Sequence, residues 1–166
     1  MGDFVNLLTE LADSSSFQRV VRIPKQRMLD GTPQDYVLRF FAFHDRYKSF
    51  DHSVKDFLNG YCKDAALQPR LVDRRDLFQR TFDFLADHFR DGIRRKRAGT
   101  TPVNLYEGIA VGAALALDAA PNLQPPGSTE WVDLAELREL TTGATNDRRR
   151  VLGRIEFCRA VFLNER

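Results

Sequence analysis

The sequence predicts an all-α fold, a single multi-helix bundle domain of about seven or eight helices. Apolar residues recur at spacings of three and four along most of the chain, which is typical of amphipathic helices. No run alternates apolar and polar residues between hairpin turns. The 166 residues, 43% of them hydrophobic, suit one domain with its own core. Because no repeat or long linker divides the chain, residues 1–166 are expected to form one domain.

The first half of the chain predicts four helical elements. Asp3 is expected to cap a short first helix. A second short element should end before Pro24, because a residue that precedes proline avoids the α region. Thr32 suits an N-cap with Pro33 at the first helical position, and this predicts a central helix with a wide apolar face. Asp51 is expected to cap the next helix.

The second half predicts four further elements. Asp73 is expected to open a strongly amphipathic helix that ends before a basic loop. After Pro102, an almost uncharged helix rich in Gly and Ala is expected to be buried on most sides. A short acidic helix is predicted over residues 131–140, and Thr145 or Asn146 is expected to open the last helix.

Composition argues against several classes of protein. The longest apolar stretch, residues 109–117, is too short to span a bilayer, and the acidic N-terminal segment is not expected to be a secretory signal. Two cysteines, Cys62 and Cys158, are too few for a disulfide framework and favour a reducing, cytoplasmic setting. The three histidines show no metal-ligand spacing and no glycine-rich nucleotide loop is present, so neither a metal nor a cofactor is expected.

The formal net charge of +2 conceals an uneven distribution. Residues 107–147 contain seven acids and one base, so this window carries −6 and the remainder +8. The bases concentrate in three clusters, at residues 19–27, 90–97 and 147–154. Such clusters can form a phosphate-binding face, although arginine and lysine also favour solvated helix ends.

Three residues are candidates for chemistry within helical segments. Arg39 and His44 have the R-x4-H spacing found in HEPN-type ribonucleases, where a basic pair binds the scissile phosphate and the histidine acts as acid or base. Side chains five positions apart on a helix point about 140° apart, so a packing histidine is the alternative. Glu107 stands alone in an apolar helix, and an internal ion pair with an arginine is expected there rather than catalysis.

Three segments occur in an order that resembles a known family. The first carries Arg27-Met28, Val37-Leu38-Arg39-Phe40, Tyr47 and Val54-Lys55-Asp56-Phe57-Leu58-Asn59. The others are residues 100–114 and 141–162. Together they resemble the C-terminal helical half of DUF262 proteins, which include GmrSD-type restriction proteins and phosphorothioation-linked defence proteins.

The resemblance implies a chain without the catalytic parts of the family. In that family a ParB-like domain with a nucleotide-hydrolysis motif precedes the helical half, and longer members add an HNH nuclease domain. Residues 30–34 do not match the ParB-like motif, and no paired HNH histidines occur. The resemblance therefore assigns no catalytic residue to this chain. The implied partner is a ParB-like domain that is either encoded separately or removed from a longer protein.

Three functions are compatible with the sequence. The first is a non-catalytic helical module of a prokaryotic restriction or phage-defence protein, which supports a ParB-like NTPase or nuclease and contacts the DNA backbone. The expected phosphate contacts are Arg94, Arg95, Lys96, Arg97, Arg148, Arg149 and Arg150. The second is a protein–protein interaction subunit that binds no nucleic acid. The third is a HEPN-like ribonuclease that uses Arg39 and His44.

Overall fold

A computed structural model describes residues 2–144 and 146–166 and confirms the all-α prediction. Its described residues form eight α-helices with short 3₁₀ turns between some of them, and no strand. The helices are α1 Asp3–Ala12, α2 Ser15–Val20, α3 Thr32–Arg46, α4 Val54–Leu67, α5 Leu71–His88, α6 Val103–Ala119, α7 Ala135–Thr141 and α8 Arg148–Phe162. The 3₁₀ turns are Lys25–Arg27, Tyr47–Ser49 and Glu130–Asp133.

The first and third helices begin next to the predicted caps. Gly2 precedes α1, so Asp3 lies in the first turn instead of capping it. Gly31 precedes α3 in the left-handed region at φ 87°, which glycine adopts without steric cost. Thr32 is therefore helical, and its backbone N–H donates to Asp30 Oδ1 over 3.0 Å. The N-cap of α3 is thus Gly31, one residue earlier than the predicted Thr32, and it makes no side-chain cap hydrogen bond.

Later helix starts also differ from the predicted ones. The Ser53 hydroxyl caps α4 by accepting from the Asp56 N–H at 3.2 Å, in place of Asp51. The Asp147 carboxylate caps α8 by accepting from the Arg150 N–H at 3.0 Å. Asn146 therefore precedes the cap, and Thr145, the other predicted start, lies outside the described residues.

Two further boundaries move by a few residues. Helix α5 begins at Leu71 rather than at Asp73, which lies in its first turn. The predicted acidic helix over 131–140 divides into a 3₁₀ turn and α7, because Leu134 leaves the helical region at ψ 140°. Trp131 and Val132 are buried on the 3₁₀ turn, so this part of the chain follows the core rather than one helix axis.

Helices α3 and α6 lie at the centre of one continuous hydrophobic core. Every residue from 105 to 114 on α6 is buried, which confirms the prediction for the Gly- and Ala-rich helix. The α3 ring of Phe40 packs edge-on against Phe78 and Phe82 of α5, with centroids 5.4 and 5.5 Å away. Within the described residues, none of the helices is long and apolar enough to cross a membrane.

Helices α6 and α8 form the most extensive helix pair in the fold, and two glycines bring them together. A Cβ atom added to Gly112 would lie 2.7 Å from Cys158 Cβ and 2.8 Å from the Arg159 backbone nitrogen. One added to Gly108 would lie 3.0 Å from the Arg154 carbonyl oxygen. The backbone of α8 therefore occupies the space that side chains at these positions would need.

Candidate functional site

A buried ion network joins helices α3, α6 and α8. The Glu107 side chain on α6 is fully buried, and its Oε1 accepts from Arg39 Nη1 on α3 at 2.6 Å. Its Oε2 accepts from Nη2 of Arg154 on α8, whose side chain is also fully buried. The expected internal tie between Glu107 and an arginine is confirmed. The carboxylate serves two arginines, so each of its oxygens carries one charge-assisted hydrogen bond.

Asp35 extends this network towards the surface. Its Oδ2 accepts from Arg39 Nε at 2.6 Å, one helical turn away. Burial would lower the pKa of Arg39, but Glu107 and Asp35 outweigh that effect and raise the pKa above its ordinary value. Arg39 thus stays charged and engaged on two sides. This arrangement holds helices together and leaves the Arg39 guanidinium occupied.

His44 lies at the other end of the α3–α6 contact. Its Nδ1 is 2.8 Å from Asp45 Oδ1 and its Nε2 is 2.8 Å from Asp118 Oδ2. Arg80 of α5 also binds Asp118, at 2.6 Å. These residues line a groove of about 560 Å³ whose walls carry further aspartates and arginines of α5. Both ring nitrogens face carboxylates that accept hydrogen bonds, so the doubly protonated imidazolium satisfies this geometry best.

Arg39 and His44 are not brought together on one site. Their partners on α6, Glu107 and Asp118, are eleven residues apart in the sequence, or about 16 Å along the helix axis at 1.5 Å per residue. Each side chain is engaged by its own carboxylates. The structure therefore offers no shared phosphate position between the two residues of the R-x4-H spacing.

The His44 contacts predict a specific pH dependence of stability. Burial would lower the pKa of His44, but hydrogen bonds to Asp45 and Asp118 outweigh it and raise the pKa above its ordinary value. A raised folded-state pKa stabilises the fold fully below the unfolded pKa near 6.5, and the contribution is lost as pH rises through the folded pKa. The free energy of unfolding of wild type should therefore exceed that of His44→Gln at pH 5.5, with the difference shrinking by pH 9.

Urea unfolding of both proteins at several pH values measures this difference. His52→Gln is the matched control, because His52 and its neighbour Asp51 are both about four-fifths exposed, at 82% each. A His44→Gln difference that stays constant from pH 5.5 to 9 would contradict the imidazolium assignment.

The predicted phosphate contacts in the 90–97 cluster have unequal surroundings. Arg94 is exposed, and its guanidinium donates to the Asp91 and Ala98 carbonyls, each at 3.0 Å. Lys96 and Arg97 are exposed as well. Arg95 instead points inward, where it donates to the Val132 carbonyl and the Thr141 hydroxyl, and burial lowers its pKa. Three of the four side chains are thus presented to solvent.

The three predicted contacts on α8 are all engaged within the chain. Arg148 donates to the Phe50 carbonyl oxygen. Arg149 Nη2 lies 3.7 Å from Glu139 Oε1. Arg150 Nη1 donates to Asp147 Oδ2 at 3.1 Å. These arginines fasten the start of α8 to its surroundings, so a phosphate would have to compete with existing partners.

The acidic window is neutralised by the fold. Among the described residues, six of its seven acids have a basic partner within 4 Å: Glu107 with Arg39 and Arg154, Asp118 with Arg80 and His44, Asp133 with Arg138, Glu136 with Arg166, Glu139 with Arg149, and Asp147 with Arg150. The window therefore does not form a separate acidic surface. Much of the basic charge of α8 is used in the same pairs, so the first two clusters hold most of the clustered bases that, among the described residues, have no acidic partner.

These first two clusters lie against each other. The Ile93 N–H donates to the Val20 carbonyl at 2.7 Å, and the Thr101 N–H donates to the Arg22 carbonyl at 2.9 Å. The Arg22 N–H in turn donates to Thr101 Oγ1 at 2.8 Å. These hydrogen bonds join segments about 70 to 80 positions apart, so the fold brings two separate basic runs together.

We define the basic face as the exposed bases of these two segments: Arg19, Arg22, Lys25, Arg27, Arg90, Arg94, Lys96 and Arg97. Residues 19–27 and 90–97 together contain nine bases and one acid, Asp91. Nearby carboxylates offset this charge in part, since Asp30 lies 3.6 Å from Arg27 and Asp133 accepts from the Lys96 N–H at 3.3 Å. A large positive excess remains on this face.

The predicted phosphate contacts do not include the 19–27 half of this face. The sequence does show four bases and no acid over residues 19–27. Sequence order alone, however, does not show that the two basic runs are neighbours in the fold. The described residues contain no group of three or more His, Cys, Asp or Glu side chains that could hold a metal ion. Cys62 and Cys158 are free thiols, and burial raises the pKa of Cys158 well above its ordinary range.

Comparisons with protein-family models, with curated proteins and with solved structures found no match to this chain. The resemblance to DUF262 proteins therefore stays a prediction that rests on the three sequence segments.

Proposed function

We propose that this chain is a non-catalytic helical module that binds nucleic acid by its phosphates. The observation that carries the proposal is the basic face, where two basic segments meet through backbone hydrogen bonds. Lysine and arginine contacts to phosphate position a protein on a duplex without reading its sequence. The module would work in the cytoplasm of a prokaryote, beside a ParB-like domain of a DUF262-type restriction or defence system. That part of the proposal is supported by the sequence resemblance alone.

The side chains that were candidates for catalysis are held by partners within the chain, and this supports a non-catalytic role. Arg39 and Glu107 are committed to one network, and His44 is held between two aspartates. The groove beside His44 is not lined by Arg39 or Glu107, so it offers no position where one substrate would touch all three groups. The affinity of the module is expected to come mainly from counterion release, which makes it strongly dependent on salt.

Reversing two charges on the basic face should weaken nucleic-acid binding. Lys25→Glu with Lys96→Glu changes one exposed lysine on each segment, and we expect about a tenfold or greater loss of affinity at 50 mM salt. The slope of log affinity against log salt should also fall in magnitude by about 2, one unit for each phosphate contact. Fluorescence anisotropy with a labelled 25-base-pair duplex across a salt series measures both quantities.

Lys55→Glu with Lys63→Glu is the matched control. It makes the same change in net charge at exposed positions of α4, which packs against α1 and α3 rather than against the basic segments. Its affinity should stay within about twofold of wild type. Equal losses in the two double variants, or no binding by wild type at low salt, would refute phosphate binding through the basic face.

A further inference from the structure

A fully exposed leucine stands at the tip of the basic face. Leu29 is 100% exposed and its neighbour Met28 is 37% exposed, immediately after the 3₁₀ turn Lys25–Arg27. Two bases of the face, Lys25 and Arg27, flank this apolar tip on one side. An exposed leucine alone is ordinary, but this one stands two residues beyond the 19–27 segment of four bases, with Asp30 as its next neighbour.

The turn that carries Leu29 is held by its own hydrogen bonds. The Arg27 N–H donates to the Pro24 carbonyl at 2.9 Å, and the Met28 N–H donates to the Lys25 carbonyl at 3.3 Å. On the other side, Asp30 accepts from both the N–H and the hydroxyl of Thr32 at the start of α3. Leu29 is thus presented between two anchored elements. Such preorganisation reduces the ordering cost that binding would otherwise carry.

We propose that Leu29, with Met28 beside it, is an apolar wedge that inserts from the minor groove between adjacent base pairs of DNA. Lys25 and Arg27 would meet the flanking phosphates. This inference rests on the proposed function and adds the mode of binding to it. Minor-groove binders insert leucine or methionine between base steps in this way, supported by flanking basic side chains.

The wedge has consequences that phosphate contacts alone do not have. Insertion partly unstacks one base step and bends the duplex towards the major groove, by about 20–90° in known cases. Pyrimidine–purine steps such as TA kink most easily, so a duplex with a central TA step should bind more tightly than one with a central A-tract. The preference arises from deformability rather than from hydrogen bonds to base edges.

Bending and unstacking can be measured on one short duplex. A 25-base-pair DNA with a central TA step carries a donor and an acceptor dye at its ends and 2-aminopurine in place of the adenine of that step. Wild type should raise energy transfer and 2-aminopurine fluorescence on binding. Leu29→Ala should lose both signals and about five- to tenfold in affinity, with an unchanged salt slope. Leu29→Phe should keep both signals.

Leu67→Ala is the matched control, since Leu67 is 82% exposed at the end of α4, outside the basic segments. It should bind and bend DNA as wild type does. Binding by wild type without either signal, or equal signals from Leu29→Ala, would overturn the wedge while leaving phosphate binding intact. Failure of wild type to bind DNA would overturn both proposals. Leu29-dependent binding to phosphatidylserine vesicles, without DNA bending, would assign the tip to a membrane surface and overturn the wedge.

Discussion

Replacing Glu107 with glutamine is expected to destabilise the fold by about 3–5 kcal/mol, the cost of removing one partner from a buried ion pair. The substitution keeps the shape of the side chain and removes the charge that Arg39 Nη1 and Arg154 Nη2 contact. The Arg154 side chain is fully buried, so water cannot replace the lost carboxylate charge. Urea unfolding at pH 7 measures the change, provided that the slope with urea is unchanged.

Glu139→Gln is the matched control for this loss. Glu139 and Arg149 are 3.7 Å apart with 64% and 69% of their side chains exposed, and such surface pairs contribute about 0–1 kcal/mol. A loss for Glu107→Gln as small as that for Glu139→Gln would show that the buried network contributes no more than a surface pair. Pairing Glu107→Gln with Arg154→Met should cost less than the sum of the two single losses, because the second change removes the charge left uncompensated.

Replacing Gly112 with alanine is expected to destabilise the fold by about 1–3 kcal/mol, despite the higher helix propensity of alanine. The added Cβ would lie 2.7 Å from Cys158 Cβ and 2.8 Å from the Arg159 backbone nitrogen. Neither atom is the movable end of a flexible side chain, so α8 must shift away from α6. Thermal unfolding followed by circular dichroism measures the effect.

Gly60→Ala is the matched control, and it should change the stability in the opposite direction. Gly60 is also helical, on α4, and nothing lies within 4 Å of the position that its Cβ would take. There the substitution should stabilise the protein by about 0.5–1 kcal/mol, since only the helix propensity changes. Stabilisation by both substitutions would show that α6 and α8 have room between them and would contradict the close packing.

The fold class could be predicted because the spacing of apolar residues is a local property. The predicted helix starts were less accurate, because several neighbouring polar residues can cap the same helix. Asp51 and Ser53 are both suitable capping residues, and the structure uses Ser53. The division of the acidic helix at Leu134 could not be predicted, since it depends on the burial of Trp131 in a core that distant helices complete.

The same distinction between local sequence information and tertiary contacts applies to the candidate sites. That Glu107 needs an arginine follows from the cost of burying a carboxylate, but its partners lie 68 and 47 positions away in the sequence. The inward direction of Arg95 and the pairing of Arg149 with Glu139 depend on where α7 packs. Residue type and local spacing predicted the kind of interaction, and tertiary contacts selected the residues.

The separation of Glu107 and Arg154 in the sequence also sets a delay between their synthesis on the ribosome. A ribosome adds about 5–20 residues per second, so Glu107 is made roughly 2–9 s before Arg154 joins the chain. During that interval α6 carries a carboxylate that lacks one of its arginines, and an apolar surface that α8 has not yet covered. The apolar surface of α6 therefore cannot be covered by α8 before the end of this interval, and uncovered surface of this kind is what favours aggregation and chaperone binding.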